Sequence, residues 1–150
     1  MLFALDRETV THAIQFAVAP VFLLTAVTGL IGAAAGRLAR IIDRARLLED
    51  RLDSGEVSDE MAQRSHKELD LLRQRGWLVN GSIALLTLCA ILIGLTIVAL
   101  FLGETIELNV LKVATICFLS CVISFLAALL CFFAETLLAT QLLKFGRRPR

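Results

Sequence analysis

Residues 13–52 read AIQFAVAPVFLLTAVTGLIGAAAGRLARIIDRARLLEDRL, and the fold turns on this stretch. Its first part, residues 13–36, holds no Asp, Glu, Lys or Arg and is long enough to cross a hydrocarbon layer of about 30 Å as a helix. An apolar seam then runs on past the last uncharged residue. Leu23, Val27, Leu30, Ala34, Leu38, Ile41, Ala45, Leu48 and Leu52 follow one another at steps of three and four, the spacing of one helix face. No Pro lies between Arg37 and Leu52. The spacing therefore predicts one helix that leaves the membrane and continues to about Leu52, where Asp53-Ser54-Gly55 ends it and Gly55 suits a left-handed C-terminal position.

Two more apolar runs follow, at 81–103 (GSIALLTLCAILIGLTIVALFLG) and about 110–134 (VLKVATICFLSCVISFLAALLCFFA). Neither alternates as a barrel strand does, and only helices or closed barrels satisfy their backbone in lipid. The expected fold is all-α and integral to the membrane, with three transmembrane helices. Composition agrees: 57% of the 150 residues are hydrophobic, and mean hydropathy is +0.78. One membrane domain over 1–150 is expected. The leader MLFALDRE carries two acids against one Arg and the first run exceeds a signal core, so that run is expected to stay in the mature protein.

Between the first two spans, Ser58 followed by Asp59 and Glu60 reads as an N-cap with acids in the first turn. A second helix should start there, offering Met61, Ala62, Leu69 and Leu72 to the first. Residues 37–79 then form an antiparallel helical hairpin, about 20–25 Å long at about 1.5 Å per residue. Nine of the 15 basic residues fall between Arg37 and Arg75, and Lys144, Arg147, Arg148 and Arg150 fall in the tail at 136–150. The positive-inside rule places both segments in the cytoplasm and the N-terminus outside, in a bacterial inner membrane. Glu104 and Glu107 then face outward.

Charge excludes some functions. Fifteen Lys and Arg against 14 Asp and Glu leave no basic excess for nucleic acid. The hairpin's charges are sorted along its length: Arg37, Arg40, Arg44, Arg46, Arg73 and Arg75 gather at the membrane end, and Glu49, Asp50, Asp53, Glu56, Asp59 and Glu60 at the tip. Arginines at that boundary, Arg44, Arg46, Arg73 and Arg75 among them, suit anionic headgroups at about 1 kcal/mol each. Arg37, Arg40 and Arg44 share a face beside Asp43, so several copies brought together would form a charged ring.

Small residues mark two packing stripes. Thr25, Gly29, Gly32, Ala33 and Gly36 lie opposite the Leu23-to-Leu52 seam, and Gly32-x-x-x-Gly36 fits close helix crossing. Two faces imply two partners. In the third span Ala114, Cys117, Cys121, Ser124, Ala128 and Cys131 recur at three and four, and the stripe reaches Glu135. Cys117 and Cys121 share one helix, and no His or second Cys pair supplies metal spacing, so no metal and no cofactor is expected. Glu135 lies about 24 residues into the third helix and Arg37 about 24 into the first, which at equal rise puts them at one depth. The cost of a boundary acid predicts an ion pair with Arg37 or Arg40, with an ion or proton site as the functional alternative. Pro20 frees a backbone carbonyl in the outer part of the first helix. His12, Gln15 and Trp77 read as interfacial residues.

Ala19-Pro20-Val21-Phe22-Leu23-Leu24, the segment Arg37-Leu38-Ala39-Arg40-Ile41-Ile42-Asp43-Arg44-Ala45-Arg46, Leu72-x-x-Arg75 and Phe132-Phe133-Ala134-Glu135 together resemble an uncharacterised bacterial family of three-span membrane proteins, described as a domain of unknown function. The resemblance covers about residues 14–145. It implies the same topology and gives weight to Arg37, Arg40, Asp43, Arg44 and Glu135; it implies no activity.

No nucleophile with a base, phosphate loop or paired catalytic carboxylates appears, so no enzyme is expected. Two functions compete, the first the leading reading and the second its alternative. One is a homo-oligomeric ion channel or pore passing Thr25, Thr28 and Gly32 and a collar of Arg37, Arg40, Asp43 and Glu135, with Gly29, Ala33, Gly36, Cys117, Cys121, Ser124 and Ala128 packing helices. The other is a non-conducting adaptor that binds anionic lipid and recruits a cytoplasmic protein through the hairpin tip.

Overall fold

The computed structural model describes the backbone of residues 7–54, 59–103 and 110–145, with side chains at residue 15 and over 18–54, 60–101 and 112–140. Three helices make up the described chain: α1 (Arg7–Asp53), α2 (Asp59–Gly103) and α3 (Val110–Phe145). At about 1.5 Å per residue each exceeds the 30 Å or so of a hydrocarbon core. Stretches long and apolar enough to cross a membrane lie within Val18–Asp53, Glu60–Phe101 and Lys112–Thr140. α1 continues unbroken through Pro20 and past its last uncharged residue, because the seam supplies buried contacts at every turn. α3 likewise runs on beyond 134 into the segment read from sequence as tail. The expected caps at Gly55 and Ser58, the acids Asp6, Glu104 and Glu107, and the basic residues Arg147, Arg148 and Arg150 lie outside the described residues, as do the side chains of Glu8, His12 and Lys144.

The chain divides into two compact units, each built from parts of the three helices: Met1–Ile31 with Leu85–Leu126, and Gly32–Ala84 with Ala127–Arg150. In the second unit, Ala34, Ile41 and Leu48 of α1 form a core with Leu69, Leu72 and Val79 of α2, flanked by Leu38, Ala45, Leu52, Ile83 and Phe132. Every α1 residue in this core belongs to the apolar seam. Ile41, Leu48, Leu69 and Leu72 retain only 5–6% exposure; where water is the alternative, such burial stabilises by about 1.5–3 kcal/mol per side chain. At Gly76 the Ile41 Cγ2 methyl would lie 3.8 Å from an added Cβ, so the two helices approach closely there.

The first unit holds together differently. Its contacts between α2 and α3 are made by small residues and interhelical hydrogen bonds. Ser124 of α3 donates to the Leu85 carbonyl of α2 at 2.8 Å, and the Cys89 and Cys121 sulfurs meet at 3.3 Å. Ala114, Cys121 and Ser124 are all buried on that side of α3, whereas Ile116, Leu119, Ile123 and Leu126 stay uncovered by the chain. Pro20, Ala19, Thr96, Leu100, Ala114, Thr115 and Phe118 border an apolar cavity of about 410 Å³.

Candidate functional site

Each helix carries a long charge-free run, and each run ends in a charge. On α1 it ends at Arg37, on α2 it begins after Arg75, and on α3 it ends at Glu135. These three side chains converge in the second unit. Arg37 Nη1 donates to Glu135 Oε2 at 2.8 Å. Arg75 donates to Oε1 through Nε at 3.0 Å and Nη2 at 2.7 Å. The carboxylate is 0% exposed, against 36% and 20% for the Arg37 and Arg75 side chains. A buried carboxylate is tolerated when it is paired and its lone pairs are occupied, and both oxygens here have charge-assisted donors. Arg37 is fixed further by Thr136 Oγ1, which accepts from Nη1 at 3.1 Å, and by the Phe132 ring, 4.5 Å from the guanidinium carbon. Thr136 Oγ1 in turn donates to the Phe132 carbonyl at 3.0 Å.

A recess of about 370 Å³ adjoins this clasp, lined by Arg37, Arg40, Arg44, Arg75, Ile41 and Leu72. Arg44 donates through Nε and Nη2 to Glu68 Oε1 at 3.0 and 2.9 Å. Arg40 enters none of the ion pairs among the described residues.

The structure thus joins some of the residues singled out in the sequence and separates others. Glu135 has Arg37 as a partner, but its other partner is Arg75, not Arg40. Depth alone admitted Arg40; rotation excludes it, because Arg37 turns half-buried toward the core while Arg40 is exposed. Arg75, read as a headgroup residue, has two of its nitrogens on Glu135. Arg73 reaches Glu49 at 3.9 Å, and Arg46 is exposed. Thr25 and Thr28 donate to the Val21 and Leu24 carbonyls of their own helix, at 3.2 and 2.9 Å. Both are exposed, as are Gly29, Gly32, Ala33, Gly36 and Asp43. An added Cβ at Gly29, Gly32 or Gly36 would meet nothing within 4 Å. On α3, Cys121, Ser124 and Ala128 are buried and Cys117 is half-buried. Sequence reasoning missed Arg75, Phe132 and Thr136 as members of the clasp and Cys89 as the neighbour of Cys121. The signal for Arg75 was present: it is the last charge before an uncharged run, the counterpart of Arg37.

No curated protein and no solved structure matches the chain. The model of one family, described as "Protein of unknown function (DUF2721)", matches residues 17–145 and so takes in all three charges of the clasp and every residue lining the recess. By that match the chain belongs to the DUF2721 family.

Proposed function

We propose that the protein is a self-associating, multi-pass scaffold of the bacterial inner membrane that conducts no ions. In this reading the three apolar helices cross the bilayer with the N-terminus outside. Residues 37–79 form an antiparallel hairpin in the cytoplasm, whose acidic tip is offered to a protein partner. The hairpin is supported by the Ala34-to-Val79 core and by the Arg44–Glu68 and Arg73–Glu49 pairs, all between α1 and α2. Orientation follows the positive-inside distribution. No catalytic step belongs to this reading.

One observation carries the choice of scaffold over pore: Glu135 is wholly enclosed, and its two partners come from its own chain. A carboxylate lining a path for ions must face that path; this one faces two guanidinium groups and locks three helices. Self-association is supported by the bare Gly29, Gly32 and Gly36 face, where a second helix backbone approaches more closely than lipid tails pack.

The pore reading draws on a different observation. Thr25, Thr28, Gly32 and Asp43 are all exposed on α1, so adjoining copies would line one path with hydroxyls and, about 22–27 Å further along at 1.5 Å per residue, with a carboxylate. Purified protein reconstituted in liposomes decides between the two. The scaffold reading expects an oligomer with no ion flux above that of empty vesicles. Flux that scales with protein content and changes selectivity in Asp43→Asn would replace it with the pore.

A further inference from the structure

We infer that the recess beside the clasp binds the phosphate headgroup of an anionic glycerophospholipid; the inference rests on the reading that the three helices cross a membrane. Four guanidinium groups, those of Arg37, Arg40, Arg44 and Arg75, line it. Two carboxylates, Glu135 and Glu68, neutralise part of that charge, which leaves a formal excess of two positive charges. The arginines are also held in place beforehand. Arg75 and Arg44 each commit Nε and Nη2 to a carboxylate oxygen, and Arg37 commits Nη1. A guanidinium has five N–H donors, so every one of these groups keeps donors for a phosphate while its side chain is already ordered. Arg40, outside the described ion pairs, contributes its full fork. Ordering that precedes binding removes much of the entropic cost of binding, and arginine forks match phosphate oxygens two at a time.

One feature favours a lipid phosphate over a free one. The recess lies where the uncharged runs of α1 and α2 meet their first arginines, Arg37 and Arg75. In a chain that crosses the membrane this is the level of the headgroups.

The full chain in mild detergent, titrated with short-chain phosphatidylglycerol, phosphatidylcholine or inorganic phosphate, tests this by calorimetry. Saturable binding of phosphatidylglycerol over phosphatidylcholine is expected, weakened about five-fold by Arg40→Gln and again about five-fold by adding Arg44→Gln. Glu68→Gln removes a negative charge beside Arg44 while its amide oxygen still accepts from that arginine and keeps it ordered, so it should tighten binding, a gain that damaged folding does not produce. Equal affinity for the two lipids, or weakening by Glu68→Gln, would overturn the inference. Inorganic phosphate binding as tightly as phosphatidylglycerol would overturn the lipid assignment. Extraction of membranes with alkaline carbonate checks the underlying reading separately: release of the chain would defeat the membrane placement itself, whereas retention with no lipid preference defeats only the headgroup site.

Discussion

Replacing Glu135 with Gln removes one charge and leaves the side chain nearly the same size, so it isolates what the ion pairs contribute. Breaking a fully buried pair by removing one partner costs about 3–5 kcal/mol, because the remaining charge is stranded. Here the stranded charges are the arginines, whose side chains are 36% and 20% exposed. Long side chains of this kind can swing their heads outward, and Gln keeps one acceptor oxygen for Arg37 or Arg75. Both effects lower the expected loss to about 2–3 kcal/mol. In a chain of this size that corresponds to a fall in Tm of roughly 5–10 °C, read by thermal unfolding in mild detergent. Glu135→Leu, which keeps no acceptor, should lose more.

Glu68→Gln is the internal standard. It breaks an arginine–carboxylate pair of similar length, but its partners are 49% and 37% exposed, so about 0–1 kcal/mol is expected. A second arm removes the stranded charges as well. If the loss in Glu135→Leu arises from unpaired guanidinium groups, then Arg75→Leu added to it should cost less than the two single changes together, with a coupling of about 0.5–3 kcal/mol. A Tm for Glu135→Gln within a degree of the parent, or no lower than that of Glu68→Gln, would refute the claim that this carboxylate ties the three helices together.

Other consequences are quickly stated. Ser124→Ala removes the α2–α3 hydrogen bond to Leu85 and should cost about 0.6–1.7 kcal/mol in the same melt, with Ser124→Cys intermediate. An added Cβ at Gly32 meets nothing within 4 Å inside the chain, so Gly32→Leu should keep the helical fold while shifting the protein toward monomer in size-exclusion chromatography with light scattering; unchanged oligomers would remove the α1 face from self-association. Arg37→Lys keeps a positive charge but loses the planar fork that joins Glu135, Thr136 and the Phe132 ring, and about 1 kcal/mol of destabilisation is expected. Inorganic salt should weaken the Arg44–Glu68 pair far more than the Glu135 clasp, since ions screen exposed charges and reach buried ones poorly.

Much of this architecture is written as period and punctuation. The seam from Leu23 to Leu52 was legible because a helix repeats every 3.6 residues: Val27, Ala34, Ile41 and Leu48 are buried, and the positions between them half-buried. The α3 stripe from Ala114 to Glu135 was legible for the same reason, since in a uniformly apolar helix the small and polar residues mark the contact side. What periodicity does not supply is which helix lies opposite. Nothing in the spacing of α3 says that Cys121 faces Cys89 or that Ser124 reaches the Leu85 carbonyl, because those contacts depend on the relative rotation of two separate helices.

Glu135 shows where the boundary between legible and hidden falls. Counting residues along two helices gave a depth at which an acid and an arginine meet, and Arg37 does meet it. Depth alone left Arg37 and Arg40 equivalent, although at about 100° per residue Arg40 lies about 60° further round α1 from the seam than Arg37 does. The seam could have separated them, since Arg37 lies three residues beyond buried Ala34 and four before buried Ile41. Arg75 required a further step: recognising that α2 also ends its uncharged run in an arginine, so that a single acid lies within reach of two. Arg75 places both of its donors on Oε1, so by itself it would have left Oε2 without a charged donor. With Arg75 on Oε1 and Arg37 on Oε2, neither oxygen is left over, and that is the physical reason a glutamate can be completely buried there.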